Sequence, residues 1–138
     1  MIDDALELEV SGHELLAEPL DNTRIESLCQ IAVGSAAVTS GHLAINFVDA
    51  ERIHQLNLQY RGIDRPTDVL SFPVDGTDEL EGQPRELGDV IICPEHTEDI
   101  EEAVVHGVLH LVGMDHETDS GQMLALQAEI LSWDLAVA

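Results

Sequence analysis

The 138-residue chain carries 28 acidic side chains against 5 basic ones, all arginine, for a formal net charge of −23. A non-specific binder of phosphate backbone needs a basic stripe that arginines at 24, 52, 61, 65 and 85 cannot supply, and anionic membrane surfaces are disfavoured on the same ground. With 44% hydrophobic residues, no apolar run of membrane-spanning length and a Met1-Ile2-Asp3-Asp4 start unlike a secretory signal, the expectation is one cytoplasmic domain over residues 1–138.

In chain order, residues 5–10 alternate apolar and acidic and predict a half-buried strand. Asp21 is placed to cap a helix reaching Val33, with Ile25, Leu28, Cys29 and Ala32 on one buried stripe. Residues 43–48 predict a second, apolar strand, and Asp49 then caps a helix over 50–59 that turns Ile53, Leu56 and Asn57 to one side. A third strand is expected over 67–72 between Pro66 and Pro73. Residues 73–86, rich in glycine, proline and carboxylates, predict an exposed loop. A fourth strand over 87–93 ends at Pro94, a helix follows over 97–112 and stops at Gly113, and a last helix covers 120–135. In that last helix Met123, Leu124, Leu126, Ile130 and Leu131 predict a core-facing stripe. Cys29 and Cys93 form no CxxC and are expected as reduced, inert thiols. Interleaved strands and helices predict an α+β fold: a four-stranded mixed sheet with helices packed mainly on one face.

The chemistry concentrates in His106-Gly107-Val108-Leu109-His110-Leu111-Val112-Gly113-Met114-Asp115-His116. Histidines four apart on a helix are offset by about 40° around the axis and about 6 Å along it, so their rings can meet at one ion. Gly113 ends the helix and lets the chain return His116 as a third nitrogen. Three imidazoles from a rigid helix and its exit turn suit one zinc ion and leave a coordination position open, the mark of a catalytic site; nickel, copper and iron also accept imidazole. Packing three polar rings into an otherwise apolar helix without a ligand would be costly. The spacing resembles the metzincin pattern HExxHxxGxxH, except that Gly107 stands where metallopeptidases carry their glutamate base, which argues against peptide hydrolysis. Its missing side chain is expected to leave room beside the metal.

The stretch 106–116 also matches the HGxLHLxGxDH signature of the YbeY endoribonucleases. Tyr60-Arg61-Gly62 with the Pro66-Thr67-Asp68-Val69-Leu70-Ser71-Phe72-Pro73 block, and the Leu87-Gly88-Asp89-Val90-Ile91-Ile92-Cys93 strand, resemble that family's other hallmarks in the correct order. The resemblance implies a zincin-like metal helix and a single-strand-specific, metal-dependent endoribonuclease with zinc on His106, His110 and His116. It also implies action near the 3′ end of 16S rRNA, a part in ribosome quality control, and the small ribosomal subunit and its proteins as partners; DNA is not expected. The family's arginine maps onto Arg61, which would pair with a phosphate and stabilise charge added in the transition state. Family members commonly carry a longer stretch before the histidine helix, so the short 95–102 segment predicts a reshaped cleft wall.

Asp115 has two readings, orienting a ligand or bracing the turn. Asp68 and Asp89 are expected as structural residues, Ser71 has no paired base for a nucleophile, and His13, His42, His54 and His96 fit no ligand spacing. Two other functions remain open from sequence: a non-catalytic, metal-stabilised ribosome-assembly factor, and a metallohydrolase of small phosphoesters.

Overall fold

The structure, a computed structural model, describes residues 6–36, 40–74 and 86–132. Its sheet has the order β1-β2-β4-β3, built from β1 (Leu6–Ser11), β2 (Gly41–Phe47), β3 (Val69–Pro73) and β4 (Glu86–Ile92). β1, β2 and β4 run parallel, and β3 pairs antiparallel to β4 with Ser71 opposite Val90. The helices are α1 (Asn22–Gly34), α2 (Ala50–Arg61), α3 (Ile100–Leu111) and α4 (Gln122–Ser132). The expected α+β fold with a mixed four-stranded sheet is the observed one.

Three of the helices start at an aspartate whose carboxylate accepts a backbone N–H in the first turn. Asp21 takes it from Arg24 at 3.1 Å, Asp49 from Arg52 at 2.8 Å and Asp99 from Glu102 at 3.1 Å. Each such cap stabilises its helix by about 0.5–2 kcal/mol. The third corrects the expected start at Thr97. Residues Pro94–His96 form a separate 3-10 turn, and the Thr97 hydroxyl donates to the Cys93 carbonyl at 2.7 Å, so α3 begins only after the Asp99 cap. β3 likewise starts two residues later than expected, because the Asp68 carboxylate accepts the Val69 N–H at 2.8 Å and holds the chain in a turn.

The strands present alternate faces to two cores. Leu43, Ile45, Val90 and Ile92 point to the side covered by α1, α3 and α4, where they meet Ile25, Leu28, Val104, Val108, Met123 and Ile130. On the other side Ile53 and Leu56 of α2 cover Leu70, Ile91 and Cys93. Three helices on one face and one on the other give the sheet its asymmetry. Cys29 and Cys93 are buried, and burial pushes the Cys29 thiol up to about 12. In the last helix Met123 and Ile130 are buried as expected, whereas Leu124 is exposed. The expected loop over 73–86 falls mostly, and the ends of the first strand and last helix partly, outside the described residues.

Candidate metal centre and its cleft

α3 lies directly on the sheet because of Gly107. A Cβ placed there would stand 2.5 Å from Val90 Cγ1 and 3.2 Å from Ser71 Oγ, so a side chain would lift the helix off β3 and β4. The Ser71 hydroxyl donates to the Gly107 carbonyl at 2.9 Å and ties the contact down. The expectation that Gly107 leaves room beside the metal is therefore corrected: the sheet fills that space.

The end of α3 is wound by a Schellman motif. Met114 N–H donates to the Leu109 carbonyl at 3.1 Å, Gly113 N–H donates to the His110 carbonyl at 3.1 Å, and Gly113 takes a φ of 102° that side-chain-bearing residues avoid. The chain turns back, and His116 joins the two helical histidines. The candidate ligand atoms of His106, His110 and His116 all lie within 4.8 Å of one another. Their ring centroids are 4.8, 5.2 and 5.4 Å apart.

Two of the three rings are oriented by carbonyl oxygens. His106 Nδ1 lies 2.8 Å from Gln127 Oε1, and His110 Nδ1 lies 2.9 Å from the Met114 carbonyl oxygen. Because these oxygens accept, Nδ1 carries the proton in each ring and Nε2 is left with its lone pair for a metal. Burial, and after it the neighbouring His106 ring, lower the His110 pKa, which keeps that imidazole neutral and ready to ligate. This donor set of neutral nitrogens on a partly buried platform fits a borderline-soft divalent ion such as zinc.

The histidines open onto a cleft of about 750 Å³ that also takes in Arg61, Asp68, Ser71 and Asp115. Arg61 is the last residue of α2, which closes at Gly62; the Asn57 side chain donates to the Arg65 carbonyl at 2.8 Å and fixes the chain that follows. No ion pair to the Arg61 guanidinium is found among the described residues. Asp115 lines the cleft, while its carboxylate accepts the Glu117 N–H at 2.9 Å and braces the turn that carries His116. The short 95–102 segment contributes no residue to the cleft lining; β3, the end of α2 and the 113–117 turn supply its walls. Asp89 lies elsewhere, in a neighbouring groove. His42 and His54 pair with Glu86 and Asp64, away from the histidine cluster.

Sequence reasoning missed Gln127. Its signal was present: a polar residue four positions after Met123 and three before Ile130, on the buried stripe of α4. Asp119 begins that connection by accepting the Met123 N–H at 2.9 Å, so the turn carrying His116 leads directly into the helix that holds His106.

A profile of the family described as endoribonuclease YbeY matches residues 13–133. The chain belongs to the YbeY family. A YbeY endoribonuclease of Brevibacillus brevis is 36% identical over 153 aligned residues, covering 91% of this chain and 95% of that protein. One from Shouchella clausii is 37% identical, covering 95% and 94%. One from Rubrobacter xylanophilus is 45% identical over 94 residues, 66% of each protein. The solution structure of a Thermotoga maritima protein superposes with a TM-score of 0.51 at 27% identity, covering 90% of this chain and 86% of that one. The YbeY relationship thus spans both the sheet and the histidine helix.

Proposed function

We propose that this YbeY-family chain is a single-strand-specific endoribonuclease that holds one zinc ion through His106, His110 and His116. Its substrate is the 3′ region of 16S rRNA on the small ribosomal subunit, in maturation and quality control in the cytoplasm. Family membership supports the reaction class. The observation that carries the metal is the approach of one ligand atom from each of His106, His110 and His116 to within 4.8 Å of one another, with the Nδ1 atoms of His106 and His110 engaged by carbonyl oxygens and Nε2 left for an ion.

An ion held there supplies Lewis-acid polarisation of a phosphoryl oxygen or of an attacking hydroxyl group. The remaining work falls to the protein. Arg61, fixed at the end of α2 and facing the cleft, donates two N–H groups to the scissile phosphate and balances the charge gained as the phosphorus becomes five-coordinate. Ser71 and Gly107 hold the helix against β3, so that Arg61 and the histidines keep their separation. With Gly107 at the metallopeptidase base position, α3 brings no carboxylate into the cleft, since Glu101 and Glu102 lie outside its lining; the ribose 2′-hydroxyl and water are the competing nucleophiles. Among the described residues no helix is long and apolar enough to cross a membrane.

The test pairs elemental analysis with cleavage of small-subunit rRNA by wild type, His110→Ala and Arg61→Ala. One equivalent of metal is expected in wild type and in Arg61→Ala but not in His110→Ala, with cutting lost in both variants. Retained cutting by His110→Ala removes the metal from the reaction. Metal binding with no cutting by wild type favours the assembly-factor reading instead. A 2′,3′-cyclic phosphate end identifies the ribose hydroxyl as nucleophile, and a 5′-phosphate product identifies water.

A further inference from the structure

A second groove of about 510 Å³ lies on the opposite face of the sheet from α3, between α2 and the strands. It adjoins the metal cleft, because Tyr60 and Phe72 line both. β3 is an edge strand among the described residues, so the two cavities meet around that edge. Ser71 faces the histidine helix while Phe72, one residue on, faces α2.

Tyr60 is the chain's only tyrosine, and it stands 60% exposed near the end of α2. It meets Phe72 edge to face, with ring centroids 5.1 Å apart, which steadies the ring while leaving it accessible. Below it Leu56 and Ile91 form an apolar wall. Four polar side chains also line it: Ser11, Asn46, Arg52, whose guanidinium donates to Gln55 Oε1 at 3.4 Å, and Asp89. Asp89 has no side-chain hydrogen bond or ion pair among the described residues, and Asn46 has its oxygen occupied by the Ser11 hydroxyl at 2.5 Å, which leaves the amide hydrogens to point elsewhere. A planar, uncharged ring carrying an N–H donor for Asp89 and an acceptor atom for the Asn46 amide would satisfy both groups at once.

From this we infer that the groove is a base-binding subsite: the substrate strand crosses the free edge of β3, and an unpaired base next to the scissile phosphate stacks on Tyr60 with its exocyclic amine toward Asp89. The inference rests on the endoribonuclease reading and adds a substrate preference to it. Aromatic stacking accepts any base, whereas a carboxylate accepts hydrogen bonds from the amino groups of cytosine, adenine or guanine and opposes the carbonyl edge of uracil. The site thereby requires a nucleotide free of pairing, which a duplex cannot present without unstacking it.

The experiment uses metal-loaded protein and a short single-stranded RNA in which 2-aminopurine is walked along the strand. Wild type is expected to quench the probe at one position flanking the cut. Tyr60→Ala removes that quenching and weakens RNA binding about ten- to a hundredfold, and Tyr60→Phe restores both. An abasic nucleotide at the same position removes the difference between wild type and Tyr60→Ala. Asp89→Asn reduces the preference for cytosine over uracil at that position while quenching persists. Tyr60→Ala that binds and cuts as wild type does overturns the subsite and leaves the nuclease standing. Position-specific quenching without any cutting supports the subsite and overturns the nuclease. Because Tyr60 is exposed, its substitution leaves the melting temperature near that of wild type, so lost binding is not lost folding.

Discussion

At the scale of single residues, the candidate metal centre depends on atoms that would themselves coordinate nothing. Gln127 Oε1 holds the His106 ring, and removing such a partner typically costs ten- to a hundredfold in metal affinity. Gln127→Ala is expected to weaken zinc binding by about that factor in a competition with a chromophoric chelator, and Gln127→Glu, which keeps an acceptor oxygen, to restore it; equal affinities would mean that Gln127 only fills space. A second residue-level effect lies away from the site. The hydrogen bond and charge of Glu86, with Glu9 and Glu7 nearby on the same face, raise the His42 pKa above 6.5, despite the opposing effect of its partial burial. A raised histidine pKa means the folded state binds the proton more tightly. The resulting stability is present below the unfolded pKa of about 6.5 and fades as the pH climbs through the folded value. Thermal melts should therefore show wild type exceeding His42→Gln by more at about pH 6 than at about pH 8, with an unchanging gap ruling out the charged pair. The convergence of His106, His110 and His116 was legible because HxxxH followed by a glycine stop is a local pattern. Gln127 was signalled only as a polar residue on an apolar stripe; its contact with His106 was not legible, because it needs α4 to return across α3, a fact that spacing within one helix does not encode.

At the scale of elements, the contact of α3 with the sheet decides whether the site assembles. An alanine in place of a helix-interior glycine usually gains about 1 kcal/mol from propensity. At Gly107 the new methyl would meet Val90 at 2.5 Å, and overpacking of this kind costs about 1–3 kcal/mol, so the sign reverses. Gly107→Ala should lower the melting temperature by several degrees and reduce metal affinity as the helix shifts; a stabilised variant would show that the sheet yields there. Helix starts reveal the same limit of local reading. The Asp21 and Asp49 caps fall where they were expected, each accepting the N–H three residues on, and the buried stripes Ile25–Leu28–Cys29–Ala32 and Ile53–Leu56–Asn57 appear as expected. Before α3, by contrast, Thr97 and Asp99 both qualify as caps. Thr97 is diverted to the Cys93 carbonyl by the 3-10 turn after Pro94, an outcome that only the end of β4 determines. Strand order was equally out of reach from sequence. That β3 doubles back antiparallel to the edge of the sheet is what lets Ser71 touch the metal helix and Phe72 face α2, and no periodicity in residues 69–73 announces it.

At the scale of the whole molecule, a chain of net charge −23 that acts on RNA must manage repulsion. Arg61 at the cleft is a local positive charge in a negative field, to which an ion on the histidines would add, and Asp68, Asp115 and Glu117 share that cleft. Outside it, Glu7 and Glu9 of β1 and Glu86 of β4 project from the sheet face that α2 leaves bare, on either side of His42 in β2. The charge sum was readable in the composition; this concentration on one sheet face was not, since it follows from the parallel register of β1, β2 and β4. Such a face complements the basic proteins of a ribosomal particle better than it does naked nucleic acid. The two routes of encounter differ in the sign of their salt dependence. Screening lengths fall from about 30 Å at 0.01 M to about 8 Å at 0.15 M, so added salt relieves repulsion between this protein and a bare strand and weakens attraction to a basic protein surface. Stopped-flow association measured from about 0.01 to about 0.15 M salt should accordingly speed up with salt for a short single-stranded RNA and slow down for isolated small subunits. An ordinary negative slope for the bare strand would mean that the cleft's own positive charge steers the RNA, and docking through basic ribosomal proteins would then be unnecessary.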